Sequence, residues 1–379
     1  MMRRIAALTT GRQDYGILRS TCRALRDDPR FELLLIVGGT HLGDLGGAAL
    51  RALSDDGLAN YVCLDAGRQT PTGQMVSMIE SLTTALEKSR PEALMLVGDR
   101  SETASAALAA TVACVPLIHL HGGEETEGAI DNVLRHAITK LSHLHLVSHP
   151  IHARRVLQMG EADATVHVVG APGLDNLRRD DLPDRATLER ELATTLPKPT
   201  VIVTHHPTTL GGSVDHEVAA LVAAMDDVEA RYIITLPNRD AGASRIRAAL
   251  SRFAERHPGT AVVEALGPAL YFGLLAVADA VIGNSSSALI EAPVFGLPAV
   301  NVGDRQKGRL RGANVIDVEP DAGHIAAGLR AALAPDFRRT LERSSPYGDG
   351  RSAARILEII AGWRPASPPR KKFVDRSFT

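Results

Sequence analysis

Short apolar runs alternate along the chain with longer Ala- and Leu-rich stretches. In the first half, the runs at 4–8, 32–37, 61–64, 93–97, 117–120, 144–147 and 166–169 read as strands. In the second half, those at 201–204, 232–236, 261–263, 280–283, 299–302 and 315–318 read the same way. Apolar on both faces, they have the pattern of strands in a parallel sheet covered by helices on each side. Segments 101–113, 218–230 and 325–334 are long enough to be such helices. Repeated β-α-β order predicts an α/β chain. The pattern restarts after Gly170, where GAPGLDN, a charged stretch and LPKP follow one another. Pro and Gly punctuation around a charged insert marks a domain junction, placed at Pro172. The expected organisation is two Rossmann-like domains, 1–172 and 173–355, facing a cleft. Residues 356–379 then form a helix end and a tail that packs back on the first domain. Ligands in such sheets bind beyond the carboxyl ends of the strands.

A length of 379 residues exceeds one ordinary core and agrees with two domains. Hydrophobic residues make up 45% and charged residues 23%, a soluble globular balance. The net charge of -2 argues against nucleic acid as a partner. MMRRIAAL has two arginines before an apolar run, as a signal peptide does, but the run is too short, so a first strand is expected. No apolar stretch reaches about 18 residues, so no membrane span is expected. Cys22, Cys63 and Cys114 form no CxxC pair or zinc spacing, and read as buried small hydrophobes in a reducing cytosol.

Six segments, each just after a predicted strand, carry candidate chemistry. In TTGRQDYG, free N–H groups and Arg12 suit a phosphate; the full GxGxxG fingerprint is absent, and an ordinary turn stands beside that reading. In VGDRSE, Asp99 either caps the next helix or projects its carboxylate into the cleft. The densest segment is HLHGGEETEGAIDNVLRH. His119 and His121 alternate onto one strand face and, with Glu124, resemble a metal set. No further ligand follows at helix spacing, so no metal is expected. Its acids suit a helix start, and Gly122-Gly123 permits close approach of backbone or ligand. In THHPTT, His206 points from a strand end, where it can titrate near neutrality and meet a phosphate or hydroxyl; a purely structural histidine pair stands beside that reading. In GNSSSALIEAP, three serines open a helix suited to a diphosphate, with Glu291 one to two turns in, placed for ribose hydroxyls. GDRQKGRLR reads as an anion-facing loop or a solvated charge run. There is no GxSxG elbow and no P-loop.

In this order, these segments resemble the UDP-N-acetylglucosamine 2-epimerase family, and most of all its hydrolysing branch, which makes N-acetylmannosamine or analogues for sialic-acid-type sugars. HGGEETEGAID with RHAITKLSH, GNSSSALIEAP and GDRQKGR carry the resemblance, which runs from about Ile5 to Asp317. GRQDYG departs mildly from the usual GTRADYG, though Arg12, Asp14 and Tyr15 align. GDRSE stands where GDRFE or GDRYE is commoner. The resemblance implies a glycosyltransferase-B-type fold and an elimination–hydration mechanism without cofactor. It implies Asp99, Glu124 and Asp131 as acid/base carboxylates. It also implies Arg12, Asp14, His206, Asn284, Ser285, Ser286, Glu291 and Arg305 as substrate-binding residues. A nucleotide sugar as substrate, a cytoplasmic location and a homodimer or homotetramer follow by the same resemblance.

The chemistry makes the same demands independently. The C2 hydrogen of an amino sugar is not acidic, because no carbonyl adjoins it. Loss of UDP builds positive charge at C1 and makes that proton removable. Cations and N–H dipoles must help the pyrophosphate leave, and a carboxylate must stand near C2. Crowded carboxylates raise one another's pKa, which keeps one able to donate. Three alternatives remain at this stage: a non-hydrolysing epimerase that keeps UDP attached, a glycosyltransferase of the same shape, and a non-catalytic nucleotide-sugar sensor.

Overall fold

The structure is a computed structural model that describes residues 2–42, 46–64, 70–127, 129–177, 182–208, 213–237, 242–264 and 266–376. The chain divides into two compact units: Met1–Glu124 with Asp131–Arg178 and Tyr347–Thr379, and Glu125–Ile130 with Arg179–Pro346.

The first unit holds β1 (Arg3–Thr9), β2 (Phe31–Val37), β3 (Tyr61–Cys63), β4 (Ala93–Val97), β5 (Leu117–Leu120), β6 (Leu144–Val147) and β7 (Val166–Val168). They form one parallel sheet in the order β3-β2-β1-β4-β5-β6-β7. Consecutive residues of β1 serve opposite faces: Ile5 and Ala7 enter one buried cluster, Ala6 and Leu8 the other. Both faces being covered explains the unbroken apolar runs.

The second unit holds β8 (Thr200–Thr204), β9 (Arg231–Thr235), β10 (Ala261–Val263), β11 (Ala280–Gly283), β12 (Ala299–Val302) and β13 (Val315–Val318). Their order is β10-β9-β8-β11-β12-β13, again parallel throughout. The α/β class and two Rossmann-like sheets are therefore as expected, and every predicted strand is present within one residue at each end.

Residues 125–130, 173–178 and 347–355 do not group as the sequence division after Pro172 and at 356 placed them. The 3-10 turn Pro172–Leu177 stays with the first unit because Asn176 Nδ2 donates to the Gly16 carbonyl at 2.7 Å. Asp175 also accepts from the N–H groups of Ser352 and Ala353 at 2.8 and 2.7 Å. That carboxylate meets two unpaired donors at the start of the helix Ser352–Gly362. The helix then buries Ile356, Leu357 and Ile360 in the first unit's core. Beyond it, the tail lies on the same unit, where Lys371 Nζ donates to the carbonyls of Thr139, Lys140 and Ser142 at 3.1, 2.7 and 2.5 Å. A lysine there complements the carbonyl end of the helix Asp131–Leu141.

Two cysteines differ from expectation. Cys22 is buried, but Cys63 and Cys114 are exposed. Cys63 ends the edge strand β3, and Cys114 sits in a left-handed turn with φ 54° after the helix Ser101–Val112.

Candidate active site

Each sheet reverses its strand order once, between β1 and β4 in the first unit and between β8 and β11 in the second. Loops leaving adjacent strands there run to opposite sides and open a crevice. The candidate residues fall at or beside these two positions.

In the first unit, β1 runs into the helix Arg12–Asp27, whose cap, Gly11, offers no side chain. Asp14 turns back instead: its Oδ2 accepts from the Thr10 N–H at 3.1 Å and from the Thr10 hydroxyl. Burial raises the Asp14 pKa above the ordinary value, against the pull of Arg100. Arg12 opens the helix, and its side chain lies outside the described residues.

Asp99 follows β4 but does not cap the next helix; Arg100 stands at that cap, without a side-chain bond. The Asp99 carboxylate is instead paired with the guanidinium of Arg135. Arg135 is only 1% exposed. It also donates to the Glu124 carbonyl at 2.9 Å and to Asn132 Oδ1 at 3.0 Å. Asp131 begins the same helix one turn earlier, so the two share a face. One buried cation thus ties Asp99 to the loop of Glu124 from the helix that starts with Asp131. Arg135 lay in the quoted motif without a role; its spacing of four from Asp131 was the available signal.

Glu124 is 2% exposed, and its Oε1 accepts from Ser148 Oγ at 2.8 Å and from His121 Nδ1 at 2.7 Å. His152 Nδ1 lies 2.9 Å from the same serine oxygen. Nothing in the sequence linked Ser148 or His152 to this motif. His119 and His121 do not share a strand face: β5 ends at Leu120, and His121 is left-handed with φ 65°. The nitrogens of His119 meet the Gly98 carbonyl at 2.8 Å and Thr139 Oγ1 at 3.3 Å. Burial pushes its pKa down to about 3, and that of His152 down to about 4. Both are neutral near pH 7. The glycine pair admits backbone: a Cβ on Gly123 would lie 2.4 Å from the His152 carbonyl oxygen.

In the second unit, Asn284 is the organiser. It is fully buried. Its Oδ1 accepts from the His206 N–H at 2.7 Å and its Nδ2 donates to the His206 carbonyl at 2.9 Å. The side-chain amide extends the β8–β11 pairing past the strand ends. The Asn284 carbonyl accepts from Arg305 Nη1 at 3.1 Å and Gln306 Nε2 at 2.8 Å. Gly283 makes this junction possible, since a Cβ there would meet the Thr204 carbonyl oxygen at 2.0 Å.

His206 does not titrate near neutrality. Burial, with Arg305 and His205 beside it, pushes its pKa down to about 3. Its Nδ1 is buried without a hydrogen-bond partner among the described residues. The serines lead into a single turn, Ser287–Ile290, rather than a long helix. Pro293 and the left-handed Gly296 divert the chain into the 3-10 turn Ala292–Phe295. Glu291 therefore closes the turn, its N–H donating to the Ser287 carbonyl at 3.1 Å. Ser285 Oγ accepts weakly from the Ser287 N–H at 3.4 Å, and Tyr271 donates to Ser287 Oγ at 2.9 Å. Ser286 caps the turn without a side-chain bond.

Two doubly wound halves, with acids near one switch point and amide, hydroxyl and guanidinium groups near the other, offer the groups that a nucleotide-sugar enzyme needs. The chain belongs to the UDP-N-acetylglucosamine 2-epimerase family, which it matches over residues 23–361. It is 32% identical to a UDP-N,N'-diacetylbacillosamine 2-epimerase (hydrolyzing) of Legionella pneumophila, across 95% of this chain and 96% of that protein. It is 33% identical to a GDP/UDP-N,N'-diacetylbacillosamine 2-epimerase (hydrolyzing) of Campylobacter jejuni, across 84% of each. Its fold matches the crystal structure of UDP-GlcNAc 2-epimerase from Neisseria meningitidis bound to UDP-GlcNAc, with a TM-score of 0.82 and 16% identity over 94% of this chain and 99% of that one.

Proposed function

We propose that this chain is a hydrolysing UDP-sugar 2-epimerase. It converts a UDP-linked 2-acetamido sugar and water to the free 2-epimer and UDP. The observation that carries this is Arg135, buried and holding Asp99 and the Glu124 loop on the helix that Asp131 begins. Acids so placed meet the need for proton transfer on both faces of C2. In the second unit, Arg305, the Asn284 junction, Ser285, Ser286 and the unpartnered His206 Nδ1 form a grip for the pyrophosphate, with Glu291 for ribose hydroxyls. A buried ring nitrogen without a partner is costly, and a ligand hydroxyl or phosphate oxygen would relieve it. In the first unit, Arg12 and Asp14 follow β1 as further substrate-binding candidates.

The relatives named for UDP-N,N'-diacetylbacillosamine favour a 2,4-diacetamido-2,4,6-trideoxy sugar over UDP-GlcNAc. No described helix is long and apolar enough to cross a membrane. That, with three free cysteines, supports a cytoplasmic location. The family resemblance supports a homodimer or homotetramer.

The test is a product assay with UDP-N,N'-diacetylbacillosamine, UDP-GlcNAc and the GDP analogue. Free 2-epimeric sugar plus UDP is expected, with one solvent deuterium at C2 in heavy water. A UDP-linked epimer would mean a non-hydrolysing enzyme, and no turnover without an acceptor would mean a transferase.

A further inference from the structure

We propose that His121 is the acid–base group through which Glu124 acts, an inference that rests on the function proposed above. Three observations meet at this residue. Its Nδ1 lies 2.7 Å from Glu124 Oε1. A carboxylate oxygen only accepts, so Nδ1 carries the proton and the neutral ring keeps its lone pair on Nε2. That Nε2 is buried and has no hydrogen-bond partner among the described residues. The backbone is also left-handed, with φ 65°, which is uncommon for a residue with a side chain. A twisted backbone and an orphaned buried nitrogen each cost stability, and such costs cluster at working sites.

Glu124 Oε1 is already engaged by two donors, Ser148 Oγ at 2.8 Å and the His121 ring. Hydrogen bonds to the charged form make a carboxylate a weaker base. The same charge behind Nδ1–H strengthens Nε2 as a proton acceptor and stabilises the imidazolium that results. Ser148 spends its hydrogen on Glu124, so its oxygen accepts from His152 Nδ1 at 2.9 Å. Glu124 is then the positioning residue and His121 the one that meets the sugar.

In the elimination, the Nε2 lone pair takes the C2 proton. The C2–H electron pair becomes the C1=C2 bond. The C1–O bond breaks, and its pair leaves on the β-phosphate oxygen of UDP. The products are the glycal, UDP and the His121 imidazolium, which loses its proton to solvent before the next turnover. A proton returned by His121 to the same face would restore the starting sugar. The new C2 proton therefore comes from a protonated carboxyl group on the other face, Asp99 or Asp131, while water bonds through its oxygen to C1 and gives up one proton through solvent, which returns that carboxylate to its acid form.

The test compares three variants of the full chain. His121→Asn keeps an N–H donor near the Nδ1 position and deletes Nε2. It is expected to lower kcat by roughly 10²–10⁴-fold, with KM and UDP affinity changed less than about threefold. In His121→Ala, added imidazole is expected to restore turnover saturably, which a purely structural histidine would not allow. Glu124→Gln keeps an acceptor oxygen for both donors and removes the charge, so its loss should be smaller than that of His121→Asn. Retention of more than about a third of wild-type kcat by His121→Asn would overturn the assignment. So would a larger loss in Glu124→Gln, which would make Glu124 the base itself. Should neither His121 variant fold, as judged by circular dichroism and UDP binding, Glu124→Gln decides alone. Measurable turnover, above about 1% of wild type, supports the dyad, and complete loss overturns it. A wild type that turns over none of the three nucleotide sugars sinks the proposed function; an active wild type with a near-normal His121→Asn sinks this inference alone.

Discussion

The two sheets reverse strand order at the same place, between the first and fourth strands of each unit, and both carry candidate groups near it. What they carry differs. The first unit presents carboxylates held by one buried arginine and a histidine–serine relay. The second presents an asparagine knot that aims a histidine and an arginine, with serines beside it. The lesson is that winding decides where a site lies, while the loops decide its chemistry. Packing is shared as well: in each unit the strands are buried on helix-covered parallel sheets, so the scaffold contributes little to the difference.

The sharpest way to break this division of labour is Asp99→Asn. It removes a charge from the first unit without changing shape, and is expected to lower kcat by roughly 10³-fold with UDP affinity nearly intact. Calorimetry showing lost UDP binding in that variant would contradict the division. Next comes Asn284→Ala in the second unit, which leaves the His206 N–H and carbonyl without their partner. Leaving the two buried groups unpaired costs stability at about 1–3 kcal/mol each, and the displaced His206 is expected to weaken UDP binding by about 10–100-fold. KM should rise far more than kcat falls, and steady-state kinetics would reveal the reverse.

Acid should separate the units further. His41, His119 and His152 in the first unit have pKa values pushed down by burial to about 4, 3 and 4; among the described residues of the second unit only His206 is so shifted, to about 3. Unfolded histidines titrate near 6.5, so below that pH the unfolded chain binds more protons than the folded one. The stability these neutral rings provide is complete above about pH 6.5 and drains away as pH falls toward 4. The single tryptophan, Trp363, packs against the first unit's core and reports on that unit. Its fluorescence is expected to change at a higher pH than the one at which UDP binding is lost. Coincident transitions would mean that the histidine imbalance is without effect. The smallest effects belong to exposed ion pairs of either unit. Arg4→Ala, which removes the partner of Glu32, and Arg256→Ala, which leaves Asp226 with His257, should each cost less than about 1 kcal/mol and shift Tm by no more than about 4 °C. A larger shift in scanning calorimetry would show a structural role that exposure hides.

Local pattern was enough for the secondary structure, because a strand buried on both faces must be apolar at every position and the runs show it directly. It was enough also to place the candidate residues in the fold, since Asp99, Glu124, His206 and Asn284 each follow a strand. Neutral His206 was missed because a histidine's charge depends on burial, which sequence does not display. The serine segment was misjudged because a helix start looks alike whether one turn or three follow; Pro293 and Gly296 were the stopping signals.

Sequence by itself determined the strands, the class of fold and the family, and offered the candidate residues, since each depends on composition and spacing within a few tens of residues. Only the tertiary structure decided the partners: Arg135 for Asp99, Ser148 and His121 for Glu124, Asn284 for His206, and Asp175 for the helix Ser352–Gly362. Those pairs are 36, 24, 3, 78 and 177 residues apart. Two of them, Glu124 with Ser148 and His206 with Asn284, join segments that leave neighbouring strands of one sheet. The shortest still needed the left-handed turn at His121 to exist.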